Sequence, residues 1–306
     1  MQSPLDQLKH RIAEISNPRI PRGELWLGTQ LFKVSGFDDT MDNHVRLSDS
    51  LDHAMVCLSV SDDVSGKPDL GYRYFTCSDL SAAARAGDKP VFAVIDGPFQ
   101  EMVNTMGVMQ VLTEWVTNRE DLVRAYEAES EKCLALISRV LEHAPAAVVI
   151  TDDMAFDNGP LVSPWDLDAL CSPFYSCAVK RINESGSPVF FHSCGNVTKL
   201  IPIIKSWQID GFAAIQSGVN DLENLYHQFE SKIMIMGGIE NDLLEPYPFP
   251  LDAEKKLDRL LSVLGTTGNL ILGSSSGLYK GEYLDQVKRI YEIADCHKGF
   301  NSKARI

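Results

Sequence analysis

The chain has 306 residues, 44% of them hydrophobic and 23% charged, which is the balance of an ordinary soluble globular protein. Its formal charge of −14 argues against nucleic acid or an anionic membrane as the principal partner, because a field of that sign repels polyanions. No apolar stretch approaches the roughly 20 residues needed to cross a bilayer.

The opening segment, MQSPLDQLKHRIAEI, reads as a polar amphipathic helix and not as a secretion signal. Eight short apolar runs then recur at regular spacing: 24–27, 54–60, 90–96, 146–153, 188–194, 211–216, 232–238 and 269–274. They are nearly continuous in apolar residues and do not alternate, as expected of parallel strands covered on both faces. Between them lie helical periodicities, clearest over 119–143, 251–264 and 282–296. Eight strand–helix pairs in a chain of this length predict a single (β/α)₈ TIM barrel spanning residues 1–306. An open doubly wound sheet is the weaker reading, since no G-x-G-x-x-G follows an early run. The long excursion from Asp62 to Gly87 offers Tyr72-Arg73-Tyr74 as a lid, with an edge hairpin as the alternative. The Tyr247-Pro248-Phe249-Pro250 turn reads as a rigid loop beside the rim.

Seven cysteines, at 57, 77, 133, 171, 177, 194 and 296, form no disulfide-like framework and are odd in number. They read as reduced thiols of a cytoplasmic protein. His53, His227 and His297 read as surface or capping histidines.

In a barrel the active site lies where the strands' carboxyl ends open into loops. Polar residues and glycines crowd those ends: Asp62, Asp96-Gly-Pro-Phe99, Asp152-Asp153, His192-Ser-Cys194-Gly195, Gln216-Ser217, Gly237-Gly238-Ile-Glu240 and Gly273-Ser-Ser275-Ser276-Gly277. Ser61, Ser217 and Asn196 suit simple capping roles. Asp152 and Asp153 repel each other, so one is expected in the pocket and the other paired or capping. His192 and Cys194 are two apart on an extended run and so share a face. One nitrogen and one sulfur there suit a borderline-soft metal such as zinc, although a packed thiol beside a hydrogen-bonded imidazole has the same spacing. The glycines after the seventh run and Gly273–Gly277 also suit a phosphate cradle.

The segments TDDMAF…GPLVSP, FHSCGNV and MGGIE, with the early IPRGELW and DGPF, resemble the uroporphyrinogen decarboxylase superfamily over most of the chain. The resemblance implies a (β/α)₈ barrel with its site at the carboxyl rim. The tetrapyrrole decarboxylases carry an arginine-rich motif near R-Q-A-G-R and a late G-H-G; here Trp26–Phe32 has no arginine and the last run ends Ser275-Ser276-Gly277. The chain is more similar to the corrinoid-linked methyltransferases of the methylcobamide:coenzyme M type. That branch implies zinc on His192, Cys194 and a later cysteine, whose position is Ser276 here, leaving Asp153, Glu240 or Cys177 as substitutes. It also implies a small thiol or another methyl donor or acceptor, and methylcobalamin on a separate corrinoid protein, since no D-x-H-x-x-G motif occurs in the chain. Asp152, Asp153 and Glu240 are then expected to carry catalysis. Asp62, Phe99, Gln216, Gly238, Ser275 and Ser276 are expected to contact substrate. A decarboxylase and a non-catalytic ligand-binding paralogue are the alternatives.

Overall fold

The structure, a computed structural model, describes residues 2–245 and 253–297; the Tyr247–Pro250 turn lies outside them. Its strands are β1 (Val56–Val60), β2 (Tyr74–Phe75), β3 (Val91–Asp96), β4 (Ala147–Thr151), β5 (Ala155–Phe156), β6 (Gly159–Pro160), β7 (Val189–His192), β8 (Gly211–Ile215), β9 (Met234–Ile239) and β10 (Leu270–Ser274). Eight form one curled sheet in the order β10-β9-β8-β7-β4-β3-β1-β2, every adjacent pair parallel. Helices cover its outside, giving a (β/α)₈-type barrel. β5 and β6 form a separate antiparallel hairpin after β4.

The first expected strand, 24–27, is not one. Only isolated bridges occur there, Arg22 to Leu272 and Leu27 to Leu278. The segment instead divides its hydrogen bonds between β10 and the residues leading into β1. Leu272 N donates to Pro21 O at 2.7 Å and Gly23 N to Leu272 O at 3.0 Å, while Ala54 N donates to Arg22 O at 2.7 Å. The barrel closes through this shared segment. Closure is tight: a Cβ on Gly273 would sit 2.0 Å from the Gly23 carbonyl oxygen, so only glycine fits. The eighth strand of the sheet is β2, from inside the 62–87 excursion, paired to the end of β1 (Ser59 with Tyr74, Val60 with Phe75).

Period-two alternation separates two apolar layers. Ala93, Ile95, Val148, Ile150, Val189 and Phe191 face the helices. Phe92, Val94, Ala147, Val149, Phe190, Met234, Met236 and Ile271 fill the barrel interior. Leu8 and Ile12 of the opening helix Pro4–Ser16 join the interior layer and plug its amino end. Lys9 and Arg11 of that helix reach the Lys232 and Asp88 carbonyls, just ahead of β9 and β3. The amino end is therefore closed, and the carboxyl end is left for function. No helix among the described residues is long and apolar enough to cross a membrane.

His53, read as a surface or capping residue, is buried instead. Its Nε2 lies 3.4 Å from the Tyr291 hydroxyl. Burial, with Lys89 and Arg22 nearby, pushes its pKa down to about 3 and keeps it neutral.

Candidate metal centre at the barrel mouth

The inward series of each strand continues into polar residues at the carboxyl end. On β4, Val149 is followed inward by Thr151 and then Asp153; on β7, Phe190 is followed by His192 and then Cys194. Thr151 and His192 are register partners, so Asp153 and Cys194 stand side by side one step above them. The ligand atoms of Asp153, His192 and Cys194 all lie within 4.8 Å of one another. His192 Nε2 is 3.5 Å from Asp153 Oδ1 and 3.6 Å from Cys194 Sγ.

Each member of the trio is held from behind. His192 Nδ1 lies 2.8 Å from the Ala213 carbonyl of β8; a carbonyl only accepts, so Nδ1 carries the proton and Nε2 presents its lone pair to the cluster. Burial lowers the His192 pKa, against the opposing pull of Asp153 and the Ala213 carbonyl. The Cys194 backbone N–H donates to Asp153 Oδ1 at 2.8 Å and aims that carboxylate. Burial and the Asp153 charge push the Cys194 thiol well above its usual range. A neutral imidazole, a carboxylate and a thiol awaiting a compensating cation are a donor set that fits zinc.

The turn beneath the cluster allows no other residue than glycine at 195. Its φ is +78°, and a Cβ there would lie 2.6 Å from the Ala155 oxygen in the β5–β6 hairpin. Gly195 N donates to the Gln216 side chain, Asn196 N to Phe156 O, and Asn220 Nδ2 to Gly195 O. Gln216 thus braces the turn rather than standing free in the mouth.

Asp152 points the other way. It is fully buried behind the sheet, where it accepts Gln100 N at 2.7 Å and the Tyr175 hydroxyl at 2.8 Å. It caps the helix Pro98–Met106, whose third residue is Gln100. Tyr175 is itself clamped by Trp207, stacked at 3.8 Å. Burial raises the Asp152 pKa to about 8; the two hydrogen bonds oppose this, and Asp96 and Asp153 add to it.

Three aromatic rings wall the cluster. Trp26 meets His192 edge-on at 4.9 Å and stacks on Tyr72 at 5.5 Å, and Tyr72 lies 6.2 Å from Tyr279. The Trp26 indole Nε1 is buried without a hydrogen-bond partner. From Tyr72 a chain runs to the Tyr74 hydroxyl at 3.0 Å and on to Asp96 Oδ2 at 2.8 Å. Asp96, the inward end of β3, also takes Lys67 Nζ at 2.8 Å and Thr151 Oγ1 at 3.1 Å. Lys67 additionally pairs with Glu101. Tyr72 and Tyr74 therefore belong to the mouth, as the lid reading expected, but as a wall tied to the barrel through β2 and Lys67.

The other predicted residues are engaged elsewhere. Phe99 is fully buried against Trp115 outside the barrel. Asp62 turns outward to pair with Arg139, its Oδ1 2.9 Å from Nε. Cys177 is exposed on the outer helix Pro164–Glu184. Glu240 accepts the Ser275 hydroxyl at 2.8 Å and the Ser217 hydroxyl at 2.6 Å, so Ser217 is a donor to Glu240 and not a backbone cap. Ser274 Oγ donates to buried Glu24, and Ser276 Oγ to Asn241 at 2.7 Å. All four of these serine hydroxyls have a side-chain acceptor, a carboxylate for three of them, an arrangement that repels a phosphate. Gly238, with Ser217 and Glu240, borders a separate cavity of about 530 Å³ toward Lys256, Arg259 and Leu260. The sequence places Asp96 at a polar strand end without giving it a role, and gives none to Trp26 or Tyr279. The period of β3 alone marks Asp96, whereas nothing local marks the two rings.

The family model of Uroporphyrinogen decarboxylase (URO-D) matches residues 41–297, and the chain belongs to that family. A comparison with curated proteins gives no match. Among solved structures, a methyltransferase from Methanosarcina mazei superposes with a TM-score of 0.72 at 14% identity, covering 94% of this chain and 98% of the other. A B12-independent methionine synthase from Shewanella sp. W3-18-1, in complex with selenomethionine, gives 0.55 at 12% identity, covering 90% and 96%. An AP endonuclease of family 2 from Brucella melitensis gives 0.51 at 12%, covering 86% and 95%. At such identities the likeness is one of fold.

Proposed function

We propose that this chain is a methyltransferase in which zinc, held by Asp153, His192 and Cys194, activates a small thiol, the methyl group being exchanged with a corrinoid carried on a partner protein. The observation that carries the reading is the convergence of those three donors at the barrel mouth, with the histidine lone pair turned toward the other two. Asp153 takes the place of the thiolate for which Ser276 offers no substitute, because the Ser276 hydroxyl is turned to Asn241. Bound zinc supplies Lewis acidity, which makes a coordinated thiol a thiolate at neutral pH.

The protein's own part is orientation and exclusion of water. Ala213 fixes the imidazole tautomer, the Cys194 amide fixes the carboxylate, and the Gly195 turn fixes the thiol. Trp26, Tyr72 and Tyr279 bound the space in which the thiol and the incoming methyl group align. The likeness of the barrel to the Methanosarcina mazei methyltransferase supports the assignment, as does membership of the family. The test is demethylation of free methylcobalamin by a panel of thiols, followed by the cobalamin absorbance. Zinc-loaded protein is expected to accelerate it and His192→Ala to lose on the order of 100-fold or more, since even indirect supports of a zinc ligand are worth about 10–100-fold. Equal rates in the two proteins would contradict the proposal.

A further inference from the structure

Away from the metal centre, a cavity of about 530 Å³ lies between the carboxyl ends of β8 and β9 and the outer helix Ala253–Leu260. Small-molecule sites commonly have volumes of roughly 300–1,000 Å³. Leu222, Leu243, Leu260 and Val263 give this one an apolar wall. Val263 stands on a π-helical turn, Leu261–Gly265, that continues the same helix. Such turns are rare and are frequent at functional sites. Gly238, at a φ of +96°, lets Leu260 close against the strand end, since a Cβ there would lie 2.4 Å from Leu260 Cδ2.

One polar atom in this wall is uncommitted. Ser217 and Ser275 both donate to Oε1 of the half-buried Glu240, at 2.6 and 2.8 Å. Oε2 is left with no hydrogen bond, and Glu240 with no cation, among the described residues. Oε2 lies against Gly218, where a Cβ would stand 2.9 Å away, and both residues line the cavity. The other charged groups there are matched. Asp221 accepts the Asn224 amide at 3.0 Å, Glu223 pairs with Arg259 at 3.8 Å, and Lys256 pairs with Asp242 at 3.1 Å.

We infer that this cavity is a second binding site, separate from the metal centre, for a small primary amine. Its ammonium group donates to Glu240 Oε2, and its hydrocarbon body lies on Leu222, Leu243, Leu260 and Val263. A carboxylate with no cation of its own favours a charged donor, because charge-assisted hydrogen bonds are about twice as strong as neutral ones. An acid in the same place would bring like charge to Glu240. The apolar wall adds the gain from taking the hydrocarbon out of water, which an inorganic cation does not offer.

The experiment compares hexylamine, hexanol and hexanoate by calorimetry. Hexylamine is expected to bind about tenfold tighter than hexanol, and hexanoate more weakly than either. Glu240→Gln should bring the amine-to-alcohol ratio toward one, and Val263→Trp should weaken both by filling the cavity. The preference should persist in folded His192→Ala/Cys194→Ala protein, whose missing donors lie outside the cavity. Its loss there would place the amine at the metal centre and overturn the inference. Equal affinity of the wild type for amine and alcohol, tighter binding of hexanoate, or no amine binding would overturn it as well. The wild-type comparison decides this even if a cavity variant fails to fold.

Discussion

Two sectors of the rim carry equally polar strand ends and have been put to opposite uses. Around β4 and β7, donors from neighbouring strands converge, and their lone pairs face one another across a shared centre. Around β9 and β10, Ser274, Ser275 and Ser276 each donate to Glu24, Glu240 or Asn241, and every hydroxyl is absorbed. A strand end rich in serine and glycine is therefore no more a site than its second partners allow. What marks the β4–β7 sector is that backbone groups orient its donors: the Ala213 carbonyl holds His192 Nδ1 and turns Nε2 toward the cluster, and the Cys194 amide aims the Asp153 carboxylate. The same contrast holds within two adjacent residues. Asp153 continues the inward series of β4, whereas Asp152, one residue earlier, falls on the opposite face and caps a helix.

The comparison breaks most readily at the turn that builds the converging sector. Gly195→Ala places a side chain at positive φ and against the hairpin backbone. Strain and overpacking together are expected to cost about 3 kcal/mol, read as a lowered midpoint of urea unfolding. A midpoint unchanged within error would mean that the turn relaxes freely and does not fix Cys194.

Asp152 sharpens the contrast through pH. Its carboxyl titrates near 8 in the folded chain against 3.8 for the unperturbed group, so folding favours the protonated form. That contribution is fully present below about pH 3.8 and is lost progressively as pH rises to about 8. Asp152→Asn stays neutral throughout, so its stability relative to wild type should rise between pH 5 and pH 8.5 in matched unfolding curves. Parallel curves would place Asp152 in water rather than behind the sheet. The smallest effect is expected in the other sector: Ser276→Ala should leave zinc content unchanged, whereas Asp153→Ala should lower it. The reverse order would return the third ligand to the β10 loop.

Much of this was legible in the chain. Seven of the eight apolar runs became long strands of the barrel, because buried parallel strands announce themselves by unbroken apolar composition. The run at 24–27 misled: it is as apolar as the others, but it serves two neighbours alternately, and no local pattern encodes that. The spacing of His192 and Cys194 gave their common face, and the adjacency of two aspartates gave their division of labour without saying which would turn inward. Trp26, Tyr72 and Tyr279 come from segments separated by as many as 253 positions along the sequence, and only barrel closure brings them together. The engagement of Phe99 with Trp115 and of Asp62 with Arg139 likewise depends on helices whose docking cannot be read from strand ends.

The central claim is that Asp153, His192 and Cys194 form one metal centre. Its most direct test is elemental analysis of the protein purified without chelator, beside the His192→Ala/Cys194→Ala variant, with both checked for folding by circular dichroism. About one zinc per chain in the first and none in the folded variant is the predicted result. Equal zinc in both, or none in either after reconstitution, would contradict it.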